Sequence, residues 1–194
     1  MTAPNRAAAI IAGGRARRLG GVDKSRLLVG GRPIVARQAE LLRQVAGDVF
    51  VVGDYPGRPL DPDLPCYDDV VAGVGAIGGV CTALEVASAD LVLVVACDLP
   101  FLEAPLLERL FDLAATADGA WVRTSAGVEP LVACYQRGVR ARVRAAIDEG
   151  RLKLADLSGV LDIRELAGSD LERFGDPARL LTNVNTPGEY ERIQ

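Results

Sequence analysis

Residues 12–26 read Ala-Gly-Gly-Arg-Ala-Arg-Arg-Leu-Gly-Gly-Val-Asp-Lys-Ser-Arg. They set four glycines and five cations (Arg15, Arg17, Arg18, Lys24 and Arg26) against one acid, Asp23. Glycines let successive backbone N–H groups turn inward and form an anion-binding nest. The whole chain has 22 basic and 26 acidic residues, a net charge of −4. Positive charge concentrated on one loop of an acidic chain suits a polyphosphate; the bland alternative is a solvated basic turn. The loop is not a Walker A motif, which needs Gly directly before Lys-Ser. Asp23 stands in that place.

Three further groups of residues could carry chemistry. Asp98 follows the apolar run 90–97 and precedes Leu99-Pro100. A carboxylate at a strand's carboxyl end can hold Mg²⁺, which prefers one or two carboxylates, waters and substrate phosphates; otherwise it is a turn or capping residue. The stretch from Asp69 to Gly79 contains Gly73-Val74-Gly75-Ala76-Ile77-Gly78, and Asp98 lies 20 residues past Gly78. Taken alone this matches a dinucleotide fingerprint, but Asp68-Asp69-Val70-Val71 is a poor buried strand to precede one. Finally, Asn183 and Asn185 are two residues apart in Asn-Val-Asn-Thr-Pro. In an extended segment their amides share a side and could bind a polar ligand; alternatively Thr186 caps a helix opened by Pro187.

The composition excludes several chemistries. The chain has no histidine, which removes Ser-His-Asp and Cys-His nucleophiles, histidine proton shuttles and histidine-ligated zinc. Cys66, Cys81, Cys97 and Cys134 form no C-x-x-C pair. Cys81, Cys97 and Cys134 sit in apolar runs and read as buried hydrophobes, which suits a reducing cytoplasm. Aromatics are 5% and the net charge is negative, so a nucleic-acid partner is not expected. The early apolar run Ala7 to Ala12 is far shorter than the roughly 20 residues of a membrane span, so a cytoplasmic protein without a membrane partner is expected.

These groups need a scaffold. Ala7–Ile11 reads as a buried strand feeding the basic loop. Pro33 opens a helix ending near Gly47, and Asp48–Gly53 is a second strand. Residues 54–65 hold four prolines and read as a surface loop. A helix runs from about Ile77 to Val86, the apolar Asp90–Cys97 forms a third strand, and Pro105 opens a helix to about Ala117. This alternation predicts a parallel sheet with helices on both faces. Two strands, Gly119–Arg123 and Pro130–Tyr135, flank the turn Ser125-Ala126-Gly127, and a helix covers Val139–Glu149. Residues 151–181 are mixed. With no linker or repeat, the chain is expected to be one domain over residues 1–194: three-layer α/β/α, with a mostly parallel Rossmann-like sheet. The nucleotide-binding half would be about 1–117 and the acceptor-binding half about 118–194.

At these residues the chain resembles the molybdenum cofactor guanylyltransferases, within the larger nucleotidyltransferase group of Rossmann-like fold. The opening from Ala12 to Lys24 follows the family's A-G-G-x-A-R-R-M-G-G-x-D-K. Asp69 with Gly73 to Gly79 matches its D…G-x-G-P-L-A-G, with Gly75-Ala76-Ile77-Gly78-Gly79 departing at the proline. Cys97-Asp98-Leu99-Pro100-Phe101 matches C-D-x-P-[FY], and Glu149-Gly150-Arg151 and Asn183 to Pro187 match late motifs. The resemblance spans nearly the whole chain. It implies a Mg²⁺-dependent transfer of GMP from GTP to molybdenum-molybdopterin, with molybdoenzyme chaperones or cofactor-insertion proteins as further partners. Arg18, Lys24 and Asp98 would be catalytic, with Asp98 holding Mg²⁺. Ile11, Ala12, Gly13, Gly14, Lys24, Asp69, Gly78 and Asp98 would bind the nucleotide, and Arg17, Asn183 and Asn185 the acceptor. The alternatives are a nucleotidyltransferase using CTP or another phosphate acceptor, a nicotinamide oxidoreductase using Gly73–Gly78, and a non-catalytic nucleotide-binding partner of a chaperone.

Overall fold

A computed structural model describes residues 5–12, 28–53 and 64–184. The expectations for Gly13, Gly14, Arg17, Arg18, Lys24 and Asn185, and for a cap at Thr186, lie outside the described residues. The elements are β1 (Arg6–Ile11), β2 (Leu28–Val29), β3 (Arg32–Pro33), α1 (Ile34–Leu42), β4 (Asp48–Val52), β5 (Cys66–Tyr67), α2 (Ala76–Val86), β6 (Leu91–Ala96) and α3 (Ala104–Ala114). There follow β7 (Gly119–Thr124), β8 (Gly127–Gln136), α4 (Arg140–Asp148), β9 (Ile163–Ala167), α5 (Gly168–Glu172) and α6 (Pro177–Leu180), with 3-10 turns at 137–139 and 154–159.

Seven strands form one sheet in the order β5-β4-β1-β6-β8-β7-β9, and β2 and β3 form a separate small hairpin. β1 runs parallel to β4 and β6, and β4 to β5. β8 is antiparallel to both β6 and β7, and β9 is parallel to β7. β8 alone therefore runs against the other six, so the sheet is mostly parallel, as expected.

The unbroken apolar character of β1 follows from burial on both faces. Ala8 and Ile10 join a core with Val35, Ala39 and Leu42 of α1 and Leu106, Leu110 and Phe111 of α3. Ala7, Ala9 and Ile11 join a second core with Ile77, Val80 and Leu84 of α2 and Val143, Ala146 and Ile147 of α4. The result is three layers. Each fully buried Leu, Ile or Phe contributes about 1.5–3 kcal/mol to holding them together.

The order β4-β1-β6 contains a topological switch: the chain leaves β1 on one side and returns on the other. In open α/β sheets ligands bind in the crevice outside the strands' carboxyl ends at such a point. Ile11 pairs with Ala96, and Cys97 N donates to Ile11 O at 3.2 Å. Ala12 and Asp98 therefore leave the sheet side by side.

The structure differs from expectation in three places. β8 begins at Gly127, three residues before Pro130. β9 arises within the stretch read as mixed. Cys97 is half-buried rather than a core residue, whereas Cys81 and Cys134 are buried and Cys66 is exposed. No disulfide joins the four cysteines. Among the described residues no helix is long and apolar enough to cross a membrane.

Candidate active site

The turn after β6 is held from two directions. Gln38, a buried residue of α1, donates through Nε2 to Ala96 O at 2.7 Å and to Leu99 O at 3.0 Å. A buried NH2 group bridging two main-chain carbonyls fixes a turn firmly, because leaving such donors unpaired costs about 1–3 kcal/mol. From the other side, Val184 N donates to Asp98 O at 3.1 Å. Val184 is fully buried and packs with Val29, Ile34 and Phe101. Anchored this way, the segment 182–184 places Asn183 beside Asp98, although 85 residues separate them in the chain.

Asp98 and Asn183 line a cleft of about 400 Å³ with Glu129, Pro130, Leu131, Leu152 and Leu154 among its other walls. Two local features build that far wall. The β7–β8 ladder pairs Trp121 with Ala133 and then Val122 with Glu129, so residues 130–132 bulge out of the ladder. Bulges re-aim side chains and recur beside active sites. Proline is tolerated there because no ladder N–H is needed, and the buried Tyr135 pins the bulge by donating its Oη to Pro130 O at 3.1 Å. The second feature is the end of α4. Gly150 adopts φ +79°, Gly150 N donates to Ile147 O and Arg151 N to Ala146 O, both at 2.9 Å. This is a Schellman cap, which needs glycine at the left-handed position. It turns the chain back so that Leu152 and Leu154 reach the cleft. Glu149-Gly150-Arg151 is thus explained as a chain reversal.

Glu129 is the carboxylate that sequence reasoning missed. Burial first, and the negative charge of Asp98 second, push its carboxyl above the usual value. Two acids therefore face one partly apolar space. Glu-Pro inside a strand pattern was the available signal, since proline there marks a bulge.

Asp69 lies on the other flank. Thr82, buried in α2, donates Oγ1 to Gly78 O at 2.8 Å and accepts from Val70 N at 3.0 Å, tying the loop 69–75 to the helix. A Cβ on Gly79 would lie 2.8 Å from Ile11 Cγ2 and 3.8 Å from Asp69 Oδ1. Glycine therefore lets the first turn of α2 settle on the end of β1 with Asp69 against it. Gly78 is as tightly placed, 2.8 Å from Val71 O to a built Cβ. This arrangement is not a dinucleotide fingerprint: β5 has two residues and ends at Tyr67, six residues before Gly73.

Magnesium fits this donor set. Asp98 supplies a hard carboxylate oxygen at the crevice, the ligand type Mg²⁺ prefers. Among the described residues no group of three or more His, Cys, Asp or Glu forms an all-protein cage, and Mg²⁺ completed by substrate phosphates and water needs none. A larger cavity of about 450 Å³, lined by Asp90, Gln136 and Arg137, opens at the opposite end of β6. That is the amino end of the strand, away from every motif above.

The family model of the MobA-like NTP transferase domain matches residues 8–161. The chain belongs to the MobA-like NTP transferases. A probable molybdenum cofactor guanylyltransferase of Pelotomaculum thermopropionicum is 30% identical to this transferase, covering 95% of this chain and 90% of its own. Another of Chloroflexus aggregans is 33% identical, over 95% and 91%. The molybdenum cofactor guanylyltransferase of Yersinia pseudotuberculosis is 25% identical, over 97% and 94%. Among solved structures, molybdopterin-guanine dinucleotide biosynthesis protein A of Archaeoglobus fulgidus superposes with a TM-score of 0.79, at 23% identity and 96% coverage of each chain. The transferase also shares its fold with 2-C-methyl-D-erythritol 4-phosphate cytidylyltransferase of Thermus thermophilus, at a TM-score of 0.65 and 19% identity, over 95% of each chain.

Proposed function

We propose that this transferase moves GMP from GTP to the terminal phosphate of molybdenum-molybdopterin, in the cytoplasm. The products are the guanine dinucleotide form of the cofactor and pyrophosphate. The observation that carries this reading is similarity over nearly the full length to relatives named molybdenum cofactor guanylyltransferase. It is supported by Asp98 and Asn183 meeting in one cleft at the switch of the sheet.

An oxygen of the acceptor phosphate attacks the α-phosphorus of GTP. The new O–P bond forms as the α–β bridge breaks, and pyrophosphate leaves. The nucleophile is already an anion, so no histidine or covalent intermediate is needed. The protein must align the two phosphates and neutralise charge as it builds on the leaving group. Lys24, Arg18 and the amides of Gly13 and Gly14 hold the triphosphate, together with Ile11 and Ala12 at the end of β1. Asp69 and Gly78 flank the nucleoside. Asn183 and Asn185, with Arg17, serve the acceptor. Asp98 would hold Mg²⁺, which supplies charge neutralisation on the phosphate oxygens. Product analysis after incubation with GTP, Mg²⁺ and molybdenum-loaded molybdopterin tests the reading.

A further inference from the structure

We propose that Glu129 reads the ring of the acceptor: its carboxylate accepts paired N–H bonds from the 2-amino group and adjacent ring N–H of a pterin. This rests on the function proposed above and names the recognition element within it.

Glu129 is half-buried in a wall formed by Pro130, Leu131, Leu152 and Leu154. Among the described residues no group donates a hydrogen bond or forms an ion pair to its carboxylate. A carboxylate in apolar surroundings costs free energy unless donors satisfy it. The bulge at 130–132 and the Tyr135 hydrogen bond to Pro130 O hold this part of β8 out of the ladder, so the exposure of Glu129 to the cleft is built into the sheet. Leu152, a large apolar side chain, is 44% exposed at the same cleft. Apolar walls with one carboxylate suit a flat heterocycle that presents N–H donors along one edge. The 2-amino-4-oxo edge of a pterin carries two parallel N–H groups, the same fork that makes guanidinium–carboxylate pairs bidentate and strong.

Guanine offers a similar edge, and the order of strands separates the two rings. Asp69 packs against the first turn of α2, over Ile11 of β1. Glu129 stands on β8, across β6 from β1. Asp98 follows β6, between them. A dinucleotide product with its pyrophosphate over Asp98 places one ring system on each flank. The nucleoside takes the side of Asp69, and the pterin takes the side of Glu129 and Asn183.

The test is a fluorescence titration with 6-hydroxymethylpterin, alongside calorimetry with GTP and with Mn²⁺ alone. For the wild type, 6-hydroxymethyllumazine, the matched lumazine that carries an oxo group in place of the 2-amino group, should bind at least tenfold more weakly than the pterin. Glu129→Gln should weaken pterin binding by a similar factor and leave GTP and Mn²⁺ affinities within twofold. The lumazine comparison needs no variant, so it holds even if Glu129→Gln folds poorly. Equal binding of pterin and lumazine, or equal binding of pterin by wild type and Glu129→Gln, overturns the inference. So does loss of Mn²⁺ affinity in Glu129→Gln, which would make Glu129 a cation ligand. A wild type that discriminates the two pteridines but forms no guanine dinucleotide from GTP overturns the transfer reaction instead.

Discussion

Asp98 combines a fixed backbone with a place on the wall of the cleft. Gln38 and Val184 hold the turn around it, so Asp98→Asn should fold normally while losing the charge proposed to hold a cation. Activity should fall about a hundredfold, roughly 3 kcal/mol of transition-state stabilisation. Steady-state turnover at limiting Mg²⁺ checks this, and normal turnover would refute the metal role. Asn183 lines the same cleft, and the proposed role places it with the acceptor. Asn183→Ala should leave GTP affinity unchanged in calorimetry and weaken the acceptor by about 1–3 kcal/mol, seen as a raised KM for molybdopterin. Loss of GTP binding in the folded variant would move Asn183 to the nucleotide. Asp98 was legible because an apolar strand stops at it. Glu129 was not, because an acid at the start of a strand reads as a solvent-facing position until the bulge is known.

Two elements depend on close fits that a sequence shows only in part. Gly79 lets α2 rest on β1, and Gly79→Ala would place a Cβ 2.8 Å from Ile11 Cγ2. Ile11 is buried and branched there, so it has little room to yield. The variant should lose about 1–3 kcal/mol of stability, several degrees in a thermal melt; an unchanged melting temperature would show that the helix can shift. At the other end of the sheet, Asp118 accepts from the Arg142 guanidinium and from Asp162 N, linking α4 to the starts of β7 and β9. The hydrogen bond from Arg142 is the main reason its carboxyl lies below the usual carboxylate range. A lowered value in the folded state means that the stabilisation is complete above the ordinary carboxylate pKa and disappears as pH falls through the lowered one. Asp118→Asn should therefore melt below wild type at neutral pH, by no more than about 1 kcal/mol for so open a pair, and match it in strong acid. A gap that persists in acid would remove the ionic explanation. β9 escaped sequence reading because it is a five-residue edge strand with Arg164 and Glu165 exposed. Its place comes from pairing with β7 and the Glu165–Arg123 contact, not from any pattern of its own.

At the scale of the molecule, the sheet joins what the chain separates. β1, β4 and β6 were legible because both of their faces are buried, which leaves continuous apolar runs, whereas the two exposed residues of β5 carry no such run. The meeting of Asp98, Glu129 and Asn183 was not, because it depends on the reversed strand β8, the cap at Gly150 and the docking of Val184. In the proposed reaction one crevice would serve both halves, the nucleotide on one side of β6 and the acceptor on the other. The most direct measurement is mass spectrometry of the products after incubation with Mg²⁺, molybdenum-loaded molybdopterin and each of GTP, CTP, ATP and UTP in turn. A guanine dinucleotide and one pyrophosphate per transfer, from GTP alone, are the expected products. No dinucleotide from GTP, or a cytosine dinucleotide formed in its place, would contradict the proposed transfer.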